Sequence, residues 1–358
     1  MLPLPTALGM IRPSGGSASA YIASVQNIEI TIPINATSAT ATITSVDTSR
    51  TLILYQGFTT TDTSTTWRLI SPRLELTNAT TITAFRDTLS ATNTVTVRAQ
   101  VIEFTASTIS RIQYGTVNVA ASTAAGTATI TSVDTSRSVV FWLGQTNTTS
   151  ASSLSTVISR IDLTNATTVS ATRASVSTAV LTVGFCVVEF ATGIVNSVQQ
   201  RSITLTGSAT TATDTISSVN TGRTLLIFNS ASSSSSAVNN WFYHMQLTGS
   251  TSVLLTRTGT LTTSRTVNYT VLEFTSAVVN SLQRGTININ SVTSADATIT
   301  SVDTSRSILN FAGFSSNAGV TDERQASIRM VNSTTIRGQK NTAGTFASTV
   351  AYEAVQLN

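Results

Sequence analysis

Seven residues, Thr44-Ser45-Val46-Asp47-Thr48-Ser49-Arg50, recur unchanged at Thr131–Arg137 and Thr300–Arg306. A variant copy, Ser217-Ser218-Val219-Asn220-Thr221-Gly222-Arg223, lies between the last two. The four arginines stand 87, 86 and 83 residues apart, and their flanks repeat with them. A period this long is no solenoid rung, so each copy reads as a small unit with its own core. The period overrides the two or three domains that length alone would suggest.

Only 10% of residues are charged, well below the roughly 25% usual in globular domains. Ser, Thr, Val and Ala dominate, Thr and Val favour strands, and almost no long helix-period segment is visible. The expectation is an all-β chain of four tandem β-sandwich repeat domains, immunoglobulin-like or jelly-roll-like, with six or seven strands each. Residues 1–22 form a short N-terminal arm, followed by repeats at 23–108, 109–194, 195–279 and 280–358. Strung head to tail, four units with radii of gyration of about 12 Å would reach on the order of 120–150 Å.

Each repeat opens on an aligned glutamine, Gln26, Gln113, Gln199 or Gln283, followed by the period-two pattern of a half-buried strand. The second strand runs into the heptapeptide, whose Asp or Asn can accept a bond from the backbone two residues on and fix a tight turn. The third strand is the most apolar, with Ile53/Tyr55, Val140/Trp142, Leu226/Phe228 and Leu309/Phe311 on its deeper face. Variable loops rich in Ser, Thr and Asn follow at Thr59–Thr66, Gln145–Ser153, Asn229–Asn240 and Ser315–Asp322. They are the expected place for partner recognition, or plain solvated connections. A hairpin comes next, then a last strand ending in Glu103-Phe104, Glu189-Phe190 or Glu273-Phe274, whose carboxylate is expected to cap the core beside an Arg or a backbone amide. The fourth copy departs from this ending at Tyr352-Glu353-Ala354.

Several residues invite chemistry. Asp47, Asp134 and Asp303 supply one carboxylate per turn, too few for calcium. Arg86, Arg173, Arg257 and Lys340 align, which suits either cross-strand pairing with Glu75 or Asp162 or a sulfate or sugar-acid site. Tyr55, Trp142, Phe228 and Phe311 suit a core position or a stacking platform. Cys186 and His244 are the only residues of their types, so no intramolecular disulfide, zinc cluster or repeated His-dependent site can form. Cys186 reads as a buried hydrophobe. His244, aligned with Arg73 and Arg160, reads as a surface-strand residue. Six sequons, among them Asn35-Ala36-Thr37 and Asn78-Ala79-Thr80, follow from a composition rich in Asn, Ser and Thr.

No phosphate-cradling loop, nucleophile elbow or aligned pair of carboxylates is present. Catalytic, cofactor and metal residues are therefore expected to be none, any ligand site is open, and the chain is not expected to be an enzyme. The net charge of +4 is spread without a basic run, which argues against nucleic acid. No apolar run is long enough to span a bilayer, so no membrane partner is expected. The Pro-interrupted start lacks the pattern of a signal peptide.

Ala-Thr-Ile-Thr-Ser-Val-Asp-Thr-Ser-Arg, Leu-Thr-Asn-Ala-Thr-Thr and Val-Val-Glu-Phe together resemble repeats in virion structural proteins of tailed bacteriophages. The resemblance covers residues 25–358 and carries no functional residues with it. It implies a non-enzymatic fibre or decoration protein of tail, neck or capsid, located in the virion and docked on other virion proteins through the N-terminal arm. A homo-oligomer and contact with a host-surface glycan would fit that role. The alternative is a bacterial cell-surface adhesin or carbohydrate-binding module array.

Overall fold

The computed structural model describes residues 20–63, 66–148, 153–233, 243–258, 264–316, 325–344 and 348–358. Most of the N-terminal arm therefore lies outside the described residues. The first repeat supplies β1 (Ile22–Ile32), β2 (Ser38–Thr42), β3 (Thr51–Thr60), β4 (Arg73–Asn78), β5 (Thr81–Phe85) and β6 (Val95–Phe104). The second supplies β7 (Ile109–Val119), β8 (Ala125–Thr129), β9 (Ser138–Asn147), β10 (Arg160–Asn165), β11 (Thr168–Thr172) and β12 (Leu181–Phe190). The third supplies β13 (Val195–Leu205), β14 (Thr211–Thr215), β15 (Thr224–Ser233), β16 (Tyr243–Gly249), β17 (Ser252–Arg257) and β18 (Arg265–Phe274). The fourth supplies β19 (Val279–Asn288), β20 (Ser294–Thr298), β21 (Ser307–Ser316), β22 (Ser327–Asn332), β23 (Thr335–Gln339) and β24 (Ser348–Leu357).

These strands do not close into four tandem β-sandwich domains. They form five hydrogen-bonded sheets that stand as the blades of a β-propeller. Three sheets have six strands, β1-β6-β3-β22-β23-β20, β2-β5-β4-β9-β12-β7 and β14-β17-β16-β21-β24-β19. Two have three, β10-β11-β8 and β13-β18-β15. Each six-stranded sheet joins two repeats: β4 bonds to β9 at Arg73 and Gly144, β16 to β21 at His244 and Gly313, and β22 to β3 at Ser327 and Gly57. The last of these links the fourth repeat back to the first, so the chain closes a ring. The amide of Ala20 donates to the carbonyl of Asn358 at 3.0 Å, where a string would hold the two ends far apart.

The physical reason lies in the third strand of each repeat. Both of its faces are apolar, and both are buried. Ile53, Val140, Leu226 and Leu309 are each wholly buried on one face, with Val140 and Leu226 in the inner cores of their own repeats. On the other face Leu52, Val139, Leu225 and Ile308 join one cluster that takes in residues of all four repeats. Strands β3, β9, β15 and β21 touch one another around the central axis. A sandwich needs only one such face. The second face supplies the drive for ring closure, at roughly 25 cal/mol for each Å² of apolar surface removed from water.

Closure also needs the backbones to meet. A Cβ on Gly144 would lie 2.1 Å from the carbonyl oxygen of Pro72, one on Gly57 2.3 Å from that of Ala326, and one on Gly313 2.2 Å from that of Tyr243. All three glycines have φ near +88°, where side chains are strained. Gly193 has a φ of +87° but open space around it. Gly144→Ala is expected to cost about 2–4 kcal/mol, and Gly193→Ala about 1 kcal/mol from backbone strain alone. Urea denaturation checks the pair, and equal losses would contradict the close approach.

Candidate functional site

The recurring polar residues are the obvious candidates for chemistry. In the heptapeptide, Asp47 Oδ1 accepts from the Ser49 amide at 2.9 Å and its hydroxyl at 2.6 Å. Asp134, Asn220 and Asp303 accept from the amides of Ser136, Gly222 and Ser305 in the same way. Hydrogen bonds from the Ser49 hydroxyl and amide hold the Asp47 carboxyl below its ordinary range. Arg137 reaches Asp134 at 3.1 Å and Glu189 at 2.7 Å, and Arg50 makes the same two contacts with Asp47 and Glu103. Glu103 and Glu273 also accept the amides of Asp47 and Asn220, at 3.1 and 3.0 Å. Burial opposes ionisation of Glu273, but bonds from Asn196, Asn220, Arg223 and Ser197 outweigh it. In the fourth repeat this place belongs to Gln356, which accepts from the Asp303 amide at 2.9 Å. The fourth ending therefore aligns at Val355-Gln356-Leu357 rather than at Tyr352-Glu353-Ala354.

The aligned glutamines mimic a strand. Gln26 donates to the carbonyl of Thr44 and accepts from its amide, at 3.0 and 2.7 Å. Gln113, Gln199 and Gln283 do the same with Thr131, Ser217 and Thr300. Three of the sequons are hairpin turns rather than accidents of composition. Asn78, Asn165 and Asn332 each accept from the amide of the Thr two residues on, at 2.9 Å.

The aligned cations do not pair across strands with Glu75 or Asp162. Arg86, Arg173, Arg257 and Lys340 are buried, and the guanidiniums bind backbone carbonyls. Arg173 donates to Thr123, Thr156, Ala179 and Ala120 at 2.7–3.1 Å. Arg86 donates to Ala36, Asn93 and Pro33 at 2.7–3.0 Å. Both tie the turn after the first strand of their repeat to the start of the sixth. Burial lowers the pKa of both groups, and donors spent on carbonyls leave little for a sulfate or sugar acid.

His244 is not a surface residue. It is 6% exposed, sits where β16 meets β21, and its Nδ1 lies 3.0 Å from Ser315 Oγ. Burial lowers its pKa from 6.5 to about 4. Cys186 is buried in β12, and burial pushes its thiol up. Among the described residues no group of three His, Cys, Asp or Glu side chains is placed to hold a metal ion, and no helix is long and apolar enough to cross a membrane.

Tyr55, Trp142, Phe228 and Phe311 meet on the axis, with Tyr55 and Trp142 edge to face at 4.9 Å. The cavity between them is about 40 Å³. That holds a few waters, against the roughly 300 Å³ or more of a small-molecule site. The axis is packed.

Exposed apolar side chains gather at one end of the ring. The turns after the first and fifth strands meet there, with Asn35 N donating to Ser90 O at 2.7 Å and Ser122 N to Ser177 O at 2.7 Å. Asn35, Ser122, Gly207 and Ser291 take positive φ at the same turn in all four repeats. Among the described residues, four of the five exposed large hydrophobics, Ile34, Leu89, Val176 and Val292, sit on this rim. The variable loops begin at the same end, though parts of each lie outside the described residues. Sequence reasoning placed recognition in those loops but missed the rim, whose signal was an apolar residue inside a polar turn. No model of a known protein family matches the chain, and no curated protein matches it.

The linkage of His244 has a definite sign. Its folded pKa lies below its unfolded value, so its contribution is fully present above pH 6.5 and is lost as pH falls toward 4. Stability should fall by up to about 1.4 kcal/mol per pH unit in that window relative to His244→Gln. Denaturation of both proteins at several pH values across the window checks this, and parallel curves would contradict it.

Proposed function

We propose that this chain is a non-enzymatic structural component of a tailed-bacteriophage virion, a fibre or decoration protein held by its N-terminal arm. The observation that carries the reading is polarity. Ala20 and Asn358 meet at the end where the sixth strands finish. The exposed apolar rim and the ends of the third strands, where the variable loops begin, lie at the other end. A unit mounted by its arm would present that rim outward, toward a host surface or a neighbouring virion protein. The joined termini suit a compact decoration better than a shaft.

The repeated polar residues support the same reading, because each is bonded within the fold rather than gathered around a substrate. The second reading, a cell-surface adhesin, draws on the apolar rim alone. Deleting residues 1–19, which leaves Ala20 and β1 in place, separates the two. Particle incorporation should be lost while the melting temperature stays within a few degrees of the full chain. Incorporation unchanged by the deletion would overturn the virion role, and undiminished cell or glycan binding would favour the adhesin.

A further inference from the structure

We infer that the ring has one built-in opening seam, between β10 and β15, where the second repeat meets the third. Three of the four junctions carry a backbone bridge through a glycine, and this one does not. The residue aligned with Gly57, Gly144 and Gly313 is Ser230. Its φ of +66° keeps the same left-handed turn, but it carries a side chain where the other three have only a hydrogen. Among the described residues no bridge joins β10 to β15, and the sheet that would match the other three is split in two.

A second observation points to the same junction. At the other three, a side chain of the following repeat satisfies a backbone amide of the third strand. Tyr114 Oη accepts from Ile53 N at 3.0 Å, Glu353 Oε2 from Leu226 N at 2.7 Å, and Gln100 Oε1 from Leu309 N at 2.9 Å. At the seam, Gln200 Oε1 accepts instead from Thr270 Oγ1 at 2.8 Å, and its Nε2 reaches Ser138 O only at 3.5 Å. Side-chain bonds also cross the seam from Arg160 to Ser232 at 2.5 Å and from Asn268 to the Ile161 carbonyl at 3.2 Å. Sub-global opening begins where backbone bonding is least, so the ring parts here first.

Hydrogen exchange on the full chain tests this. Peptides covering β10 and the second half of β15 should exchange at least about tenfold faster than those covering β4 and β9, or β22 and β3. Ser230→Gly should bring the seam to within about threefold of the others. Equal exchange at all junctions, or earlier opening at another, would overturn the inference, as would a Ser230→Gly protein that exchanges like the wild type. If that variant does not fold, the comparison among wild-type junctions decides alone.

Discussion

The ring depends on the approach of two backbones at Gly57, Gly144 and Gly313. At each, the third strand of one repeat comes so near the start of the fourth strand of its neighbour that a methyl group would overlap a carbonyl oxygen. At these three junctions the approach accompanies burial of the second apolar face of the third strand. At the Ser230 seam the bridge is missing while Leu225 stays buried in the shared cluster, so there apolar burial acts without the backbone contact.

Around this constraint the polar residues divide into two kinds. Those that repeat, such as the heptapeptide Asp and Arg, the glutamines and the hairpin asparagines, hold the same local turns and strand edges wherever they occur. Those that differ occupy the junctions. The facing pairs Asn27 and Gln100, Tyr114 and Cys186, Gln200 and Thr270, and Arg284 and Glu353 share one structural place. Their chemistry is unlike because each meets a different neighbour. Burial raises the pKa of Glu353, against the pull of Arg284 and bonds from Leu226 N and Asn310. Such a group would be costly anywhere but at a junction that supplies those partners.

Local structure was legible in the sequence because its causes are local. The repeat, the strands and the Asp-centred turn follow from spacing and side-chain chemistry within a few residues. Ring closure was not, although its signals were present. Leu52 and Leu54 alternate with Ile53 and Tyr55, a continuous apolar run that marks a strand buried on both faces. The aligned glycines marked a close approach. Neither says which partner lies opposite, and a closed ring and a row of sandwiches share every contact within a repeat. The buried cations and His244 were misplaced for the same reason: alignment equates positions, whereas exposure depends on what the next repeat brings against them.

The central claim, closure of the ring, is tested most directly by small-angle scattering from the purified chain in dilute solution. A closed ring of this length has a radius of gyration of about 20 Å, slightly more with the arm. Four units strung in a line would give about 35 Å or more. A value near the first, with a single-peaked distance distribution, is the predicted result, and a value near the second would contradict the account.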